Sequence, residues 1–178
     1  MMVTPLLLFA IAHVGVTLSD ISGASVSVPT PKAVATVLFF VGTDCPISNR
    51  LAPYMAEIQK VYSAKKISIN FVYPDRETTR EEVVTHMKRY KLAGTAIIDQ
   101  QHALVKFAKA SLTPEAFIFR PDGTLAYHGR INDMYAEHNR PRNDIRRHDV
   151  KIALDEMLAG RPVSHPYQPS IGCSIVMD

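Results

Sequence analysis

One junction between a strand and a helix constrains the fold more than any other feature of the sequence. Residues 34–41 (VATVLFFV) are continuously apolar and rich in β-branched side chains, which is typical of a central strand covered on both faces. A short polar turn (GTD) follows, and then Cys45 and Pro46. In residues 46–62 apolar side chains recur every three or four positions, so the sequence predicts an amphipathic helix with Pro46 in its first turn.

The remaining segments continue this alternation of strand and helix. A turn-rich segment between two short alternating stretches predicts an N-terminal β-hairpin. The predicted hairpin strands are residues 16–18 and 26–28, later strands are 67–73, 96–98, 115–119 and 125–131, and further helices are 78–90, 101–109 and 144–158. Parallel strands joined by helices require cover on both faces. We therefore expect an α/β fold with a central mixed sheet, helices on both faces and an N-terminal hairpin.

Composition narrows the class of protein. The 178 residues are 47% apolar, which suits one globular domain. A net charge of +3 is too small to indicate a nucleic acid partner. Two cysteines are too few for a disulfide-stapled miniprotein or a four-thiolate metal site. The N-terminal apolar run, residues 5–12, is too short for a transmembrane segment.

The sequence predicts three parts of the chain. Residues 1–12 form a candidate signal segment, because an apolar run ends in the small-x-small sequence AIA, although no basic residue precedes the run. The alternative is an ordinary buried strand or helix. Residues 13–160 are then the domain, and residues 161–178 form a proline-interrupted tail that carries Cys173. We expect a periplasmic or otherwise exported protein, with a cytoplasmic location kept open.

Cys45 is the main candidate for chemistry. A cysteine at the start of a helix meets unpaired N–H groups and the positive end of the helix dipole, and both favour the thiolate. The alternative is a small, buried structural cysteine, since free cysteines are among the most buried residues. The polar, turn-forming neighbours of Cys45 argue against burial within a strand and favour a reactive role.

Four motifs together resemble a known family. They are CPISN at residues 45–49, LTPEAFIF at 112–119, DG at 122–123 and YHGR at 127–130. Their arrangement resembles the thioredoxin-like redoxin family, which includes peroxiredoxin-like proteins and thiol-disulfide oxidoreductases, over roughly residues 14–160. The resemblance implies a thioredoxin-like fold and reduction of a disulfide or hydroperoxide substrate, with Cys45 as nucleophile. It also implies that Pro114 is preceded by a cis peptide bond and lies beside the reactive sulfur.

The sequence departs from the family patterns near Cys45. Thioredoxins have a second cysteine three residues after the first, but Ser48 occupies that position and a hydroxyl cannot form the disulfide. Peroxiredoxins typically have Thr or Ser three residues before the cysteine, where this chain has Gly42. Thr43, two residues before, is a candidate to hydrogen-bond a substrate oxygen; the alternative is a turn residue that caps the helix.

Cys173 is the candidate resolving thiol. Its tail is expected to be mobile, and Gly172 gives the backbone freedom to reach an active site. The alternative is a free terminal thiol, or one that pairs with another chain. In the redox interpretation, an external thiol or thioredoxin-like electron donor reduces the protein after each cycle. The interpretation requires no cofactor and no metal.

Basic and histidine residues are concentrated after the last predicted hairpin. They are His128, Arg130, His138, Arg140, Arg142, Arg146, Arg147 and His148, with Asp133 among them. No paired ligand spacing such as HxxxH occurs there, so a solvated segment with ion pairs is the simpler interpretation. The alternative role is catalytic, with Arg130 assisting near Cys45.

Two other functions compete with a redox enzyme. Copper-delivery proteins of the same fold hold Cu(I) with two cysteines and a histidine, and Cys45, Cys173 and His128 are the candidate set. Those proteins normally carry CxxxC, however, and Asn49 occupies the second position here. The other alternative is a non-catalytic interaction module that uses the fold only to present a surface.

Overall fold

The computed structural model describes residues 15–135 and 140–177. The candidate signal segment and His138 lie outside these residues. The strands are β1 (Val16–Ser19), β2 (Ser25–Val28), β3 (Ala35–Phe40), β4 (Ile67–Tyr73), β5 (Thr95–Ile98), β6 (Leu112–Thr113), β7 (Glu115–Phe119), β8 (Leu125–Gly129), β9 (Tyr167–Gln168) and β10 (Cys173–Ser174). The helices are α1 (Pro46–Tyr62), α2 (Arg80–Tyr90), α3 (Ala103–Ala108) and α4 (Asp149–Leu158), with 3-10 turns at Ser63–Lys65 and Asp133–Tyr135.

The central sheet has six strands in the order β5-β4-β3-β7-β8-β9. Strands β3, β4 and β5 are parallel, β7 is antiparallel to both β3 and β8, and β9 is parallel to β8. Strands β1 and β2 form a separate antiparallel hairpin, and β6 pairs with β10 in a second two-stranded sheet. The predicted mixed sheet and N-terminal hairpin are therefore confirmed.

Both faces of the sheet are covered, as predicted. One core joins inward residues of β3 and β4, such as Phe39 and Phe71, to residues of α1, α2 and α4. The other core joins Leu38, Phe40 and Phe117 to residues of α3 and to the hairpin. Because every residue of β3 is buried, this strand is the centre of the molecule, and its end is a rigid base for the turn that leads to Cys45.

Several predicted boundaries differ from the structure, and two of them have a clear physical cause. Helix α4 begins at Asp149 and not at residue 144, because the Asp133 carboxylate accepts hydrogen bonds from the backbone N–H groups of Arg146 and Arg147 and holds them outside the helix. Strand β8 ends at Gly129, whose φ of 131° lies in a region that non-glycine residues rarely adopt. A side chain at Gly129 would also overlap the carbonyl of Gln168 in β9.

The tail is the largest difference from expectation. The sequence predicts a mobile segment after residue 160, but two short strands hydrogen-bond it to the domain. β9 extends the central sheet beside β8, and β10 pairs with β6. These pairings satisfy backbone groups that would otherwise remain open at two strand edges. Among residues 15–135 and 140–177, no helix is both long and apolar enough to cross a membrane.

Candidate redox site

The site lies where β3 gives way to α1. Cys45 is the N-cap residue of α1, and its carbonyl accepts the backbone N–H of Asn49 at 3.0 Å. Its side chain is only 3% exposed. Cys45 forms a disulfide with Cys173, and their Cα atoms are 6.2 Å apart. The two cysteines therefore meet, although 128 positions separate them in the sequence.

Strand pairing holds Cys173 in place. Cys173 lies opposite Thr113 in the β10–β6 register, and the Thr113 hydroxyl donates to the Cys173 carbonyl at 3.4 Å. On the far side of Cys173, the N–H of Ile175 donates to the carbonyl of Ser111 at 2.9 Å. The tail thus crosses the site as an extended strand, with Cys173 facing the start of α1.

Thr113 and Pro114 form the floor of the site. Their peptide bond is cis, as the family resemblance implies. The Cys45 Sγ atom lies 3.1 Å from the Thr113 carbonyl oxygen, so the residue before Pro114 contacts the sulfur directly. The Cα of Gly172 packs on the same peptide: an added Cβ would lie 2.7 Å from the Thr113 carbonyl carbon and closer still to its oxygen. The tail therefore needs a glycine at this contact.

Ser48 and the turn before Cys45 complete the frame. The Ser48 side chain is fully buried and its hydroxyl accepts the backbone N–H of Gly42 at 3.2 Å. An added Cβ at Gly42 would meet the Cβ of Cys45 at 3.1 Å, which leaves little room for a side chain there. Ser48 thus has a structural bond at the position of the missing second cysteine.

A cavity of about 370 Å³ opens beside the disulfide. Its walls combine the reactive groups with a carboxylate-rich rim and the apolar end of the tail. The lining residues are Gly42, Asp44, Cys45, Pro74, Asp75, Arg76, Glu77, Thr113, Cys173, Ser174, Ile175 and Val176. The cavity gives an external reactant a route to the sulfur atoms.

Thr43 and Arg130 make other contacts in the structure. The Thr43 carbonyl accepts the Asn49 side-chain N–H at 3.1 Å, and Thr43 lines a second cavity, away from the disulfide. Because Cys45 is the N-cap, Thr43 is not the capping residue of α1. Arg130 pairs with Asp149 at 2.8 Å, and Arg147 pairs with the same carboxylate. Neither Thr43 nor Arg130 lines the cavity beside the disulfide.

The described part of the basic segment is largely exposed, whereas the carboxylates that it pairs with are buried. Asp149 and Asp133 have side chains that are 1% and 7% exposed, and Arg142 pairs with Asp133 at 3.1 Å. His128, the candidate copper ligand, stacks between Phe117 and Tyr167 at centroid distances of 5.7 and 4.7 Å. Within residues 15–135 and 140–177, no three His, Cys, Asp or Glu side chains form a group that could hold a metal.

Sequence reasoning missed three hydrogen-bonded side chains beside the site. The side-chain amide oxygen of Asn49, Oδ1, lies 2.9 Å from His86 Nε2, and His86 Nδ1 lies 2.9 Å from the Tyr73 hydroxyl. Burial, with a smaller effect of the Arg89 charge, lowers the pKa of His86. The available sequence signal was the position of His86 three residues after Val83 on the buried face of α2.

Comparisons with known proteins agree with this geometry. The AhpC/TSA family model matches residues 13–128, more than half of the sequence. The chain belongs to the AhpC/TSA family. This assignment confirms the predicted redoxin relationship. No curated protein sequence matches the chain.

Solved structures extend the likeness beyond the family match. An uncharacterized conserved protein from Geobacillus kaustophilus is 25% identical with a TM-score of 0.79, covering 93% of this chain and 90% of that one. A hypothetical protein from Sinorhizobium meliloti 1021 is 24% identical with a TM-score of 0.78, covering 92% and 91%. A secreted disulfide oxidoreductase from Mycobacterium tuberculosis is 16% identical with a TM-score of 0.59, covering 82% and 95%. The predicted thioredoxin-like fold of this AhpC/TSA family member is confirmed.

Proposed function

We propose that this protein is a thiol-disulfide oxidoreductase in which Cys45 is the nucleophile and Cys173 the resolving thiol. The observation that carries the proposal is the Cys45–Cys173 disulfide at the start of α1, beside an open cavity. The AhpC/TSA family relationship supports thiol-based redox chemistry at this position.

The first half-reaction uses the position of Cys45. The Cys45 thiolate attacks one sulfur of a substrate disulfide, forms a mixed disulfide and expels the other substrate sulfur as a thiolate, which takes up a proton. The N-terminus of α1 favours the attacking thiolate. Pro114 and the Thr113 carbonyl shape the space around the sulfur, and the cavity admits the substrate.

The second half-reaction uses the tail. The Cys173 thiolate attacks Cys45 Sγ of the mixed disulfide, forms the Cys45–Cys173 bond and releases the second substrate thiol. Pairing of β10 with β6 brings Cys173 to the attacking position. The substrate disulfide gains two electrons and the protein loses two.

Regeneration is proposed to begin at Cys173. In the oxidised protein Cys173 is the more exposed of the two cysteines, whereas Cys45 is 3% exposed. A dithiol donor therefore attacks Cys173 Sγ and expels the Cys45 thiolate, whose place at a helix N-terminus makes it a good leaving group. The donor's second thiol then attacks the mixed disulfide, releases the Cys173 thiol and leaves the donor oxidised. The partner class is an external thiol or a thioredoxin-like protein.

A protein disulfide fits this site better than a hydroperoxide. Disulfide exchange requires a reactive sulfur that a substrate can approach and a resolving thiol, and here both cysteines line the cavity. Peroxide reduction also benefits from groups that bind the peroxide oxygens. The predicted oxygen-binding residue, Thr43, lines the other cavity, and Arg130 is engaged with Asp149. Substrate-contact roles for Thr43 and Arg130 stay predictions.

We also propose that the protein is exported from the cytoplasm to an oxidising compartment, because disulfide substrates are most abundant there. The candidate signal segment at residues 1–12 and the fold shared with a secreted disulfide oxidoreductase support this proposal. Fractionation of cells that produce the full chain, with mass analysis of the mature N-terminus, tests it. An intact N-terminus in the cytoplasmic fraction would refute it.

A single-turnover experiment tests the proposed reaction. Reduced protein is mixed with a disulfide-bonded peptide or with hydrogen peroxide, quenched by alkylation and analysed by non-reducing mass spectrometry. We expect faster formation of the Cys45–Cys173 bond with the peptide, a trapped Cys45–peptide adduct in Cys173→Ser, and no adduct in Cys45→Ser. Rapid oxidation by peroxide alone would move the assignment to a peroxidase. Two persistent free thiols under both conditions would reject a redox function.

A further inference from the structure

A chain of hydrogen bonds through side chains links Tyr73, at the end of β4, to the turn before Cys45. We propose that His86, acting through Asn49, is a positioning residue that holds this turn so that the Cys45 sulfur stays at the start of α1. The inference rests on the proposed function of Cys45 as nucleophile. It adds residues outside the Cys-Pro motif and the cis-Pro114 region to the machinery of the site.

Asn49 forms hydrogen bonds both to Cys45 and to the turn that precedes it. Its backbone N–H donates to the Cys45 carbonyl at 3.0 Å, and its side-chain N–H donates to the Thr43 carbonyl at 3.1 Å. The first bond is the opening hydrogen bond of α1, and the second fixes the residue two positions before Cys45. Asn49 therefore couples the turn to the helix across the reactive residue.

The partners determine the orientation of each group in the chain. Because the Thr43 carbonyl only accepts, the Asn49 amide must present its N–H there and its oxygen to His86. His86 must then carry its proton on Nε2, and Nδ1 accepts the hydroxyl proton of Tyr73 at 2.9 Å. Each donor meets one acceptor, so a neutral His86 satisfies the whole chain.

Burial makes this arrangement rigid. His86 is 5% exposed, and Tyr73, at the end of β4, is fully buried. The Tyr90 ring packs on the imidazole at a centroid distance of 4.9 Å. The charged groups that share the second cavity with His86 are Asp44, Glu81, Glu82 and Arg89. Because the sheet and α2 fix the imidazole, they also fix Asn49 and, through it, the turn.

Loss of the link should change the chemistry of Cys45 and not only the stability of the protein. If the turn relaxes, the sulfur samples positions away from the helix N-terminus, and the thiolate loses part of its stabilisation. The expected signature is a higher Cys45 thiol pKa. A residue that only fills space in the core would lower the melting temperature without moving this pKa.

The test uses the full chain with Cys173→Ser, which leaves Cys45 as its single thiol. The rate of iodoacetamide alkylation is measured against pH for this parent and for Asn49→Ala, His86→Leu, His86→Gln and the Asn49→Ala/His86→Leu double variant. We expect Asn49→Ala and His86→Leu each to slow alkylation at pH 7 roughly three- to tenfold, because a rise of one pKa unit reduces the thiolate fraction about tenfold.

Two comparisons isolate the positioning role. His86→Gln retains an N–H donor for Asn49, so its alkylation rate is expected to be close to that of the parent. The Asn49→Ala/His86→Leu double variant should be alkylated no more slowly than either single variant, because each single variant already breaks the bond between Asn49 and His86. Tyr62→Phe is the control: it removes a partly buried hydroxyl bond from α1, to Asp155 at 2.8 Å, and should lower stability with no change in alkylation.

The outcomes separate this inference from the proposed function. An unchanged thiol pKa in folded Asn49→Ala overturns the inference, and so does full additivity in the double variant. If His86→Leu does not fold, Asn49→Ala decides, since Asn49 is only half-buried on the helix surface. A parent thiol pKa as high as that of free cysteine counts against the proposed function, and the shift between parent and variants still decides the role of His86.

Discussion

Gly172 lies against the carbonyl of Thr113, and the same carbonyl oxygen is 3.1 Å from the sulfur of Cys45. One peptide group therefore contacts both the reactive sulfur and the tail that delivers the second thiol. The contact depends on the missing side chain of Gly172. Its φ lies outside the left-handed region, so the requirement is for space.

We therefore expect Gly172→Ala to weaken the Cys45–Cys173 disulfide. An added methyl group would overlap Thr113 or push β10 away, and overpacking of this kind should reduce the disulfide equilibrium constant roughly ten- to a hundredfold. The measurement is the oxidised fraction in glutathione buffers of known ratio. Ser174→Ala, at the exposed neighbouring position, should match the wild type. Equal oxidation of both variants would contradict the proposed contact.

Oxidation should stabilise the fold. The disulfide joins residues 128 positions apart, and restriction of the unfolded chain by so large a loop contributes roughly 4 to 5 kcal/mol in the chain-entropy treatment. Urea denaturation with and without a phosphine reductant measures the difference. Cys173→Ser should give the same midpoint in both conditions. Identical midpoints for the wild type would show that the bond does not persist in solution.

Arg130→Met tests whether this arginine serves the reaction or the fold. Its partner Asp149 has a side chain only 1% exposed, so losing the arginine should destabilise the protein by about 2 to 3 kcal/mol. This loss is smaller than that expected on breaking a fully buried ion pair, because Arg147 still contacts Asp149. Cys45 alkylation in the folded protein should be unchanged. Slower alkylation with unaltered stability would instead support the predicted catalytic role.

Glu115 should give the stability a dependence on pH. Burial raises the pKa of Glu115, while the backbone N–H groups of Ser111 and Leu112 act in the opposite direction. A raised folded pKa means that the folded state holds the proton more tightly than the unfolded state. Its contribution to stability is therefore fully favourable below the ordinary glutamate pKa and declines as the pH rises through the raised value.

Glu115→Gln removes this titration. The free energy of unfolding of the variant, relative to wild type, should rise as the pH increases from about 4.5 toward neutrality, because only the wild type must bury a carboxylate. Urea denaturation across this range measures it. Glu77→Gln, at an exposed position on the cavity rim, is the control. A constant difference between wild type and Glu115→Gln would contradict the prediction.

Local pattern was sufficient to predict the part of the site built on long elements. The helix predicted over residues 46–62 has those bounds in the structure, so Cys45 was correctly placed at its start. β4 is seven residues long and was also predicted correctly. In both elements the apolar pattern extends over many residues, so one atypical residue does not change the prediction.

The remaining features depend on contacts between distant segments. β9 and β10 have two residues each, too few for any periodicity, and they exist only because strand edges at β8 and β6 are open to them. The same holds for the bond between His86 and Asn49, which joins two helices. Such pairings follow from the packed fold, and no local motif encodes them.

The pairing of β9 with β8 sets the reach of the resolving thiol. Gln168 stays bonded to the sheet edge five positions before Cys173, so after reduction the Cα atom of Cys173 can lie at most roughly 17 Å from that anchor. A thiol confined in this way has an effective concentration of about millimolar or higher. Small thiols in solution must exceed that concentration to intercept a mixed disulfide on Cys45 before the chain closes its own bond.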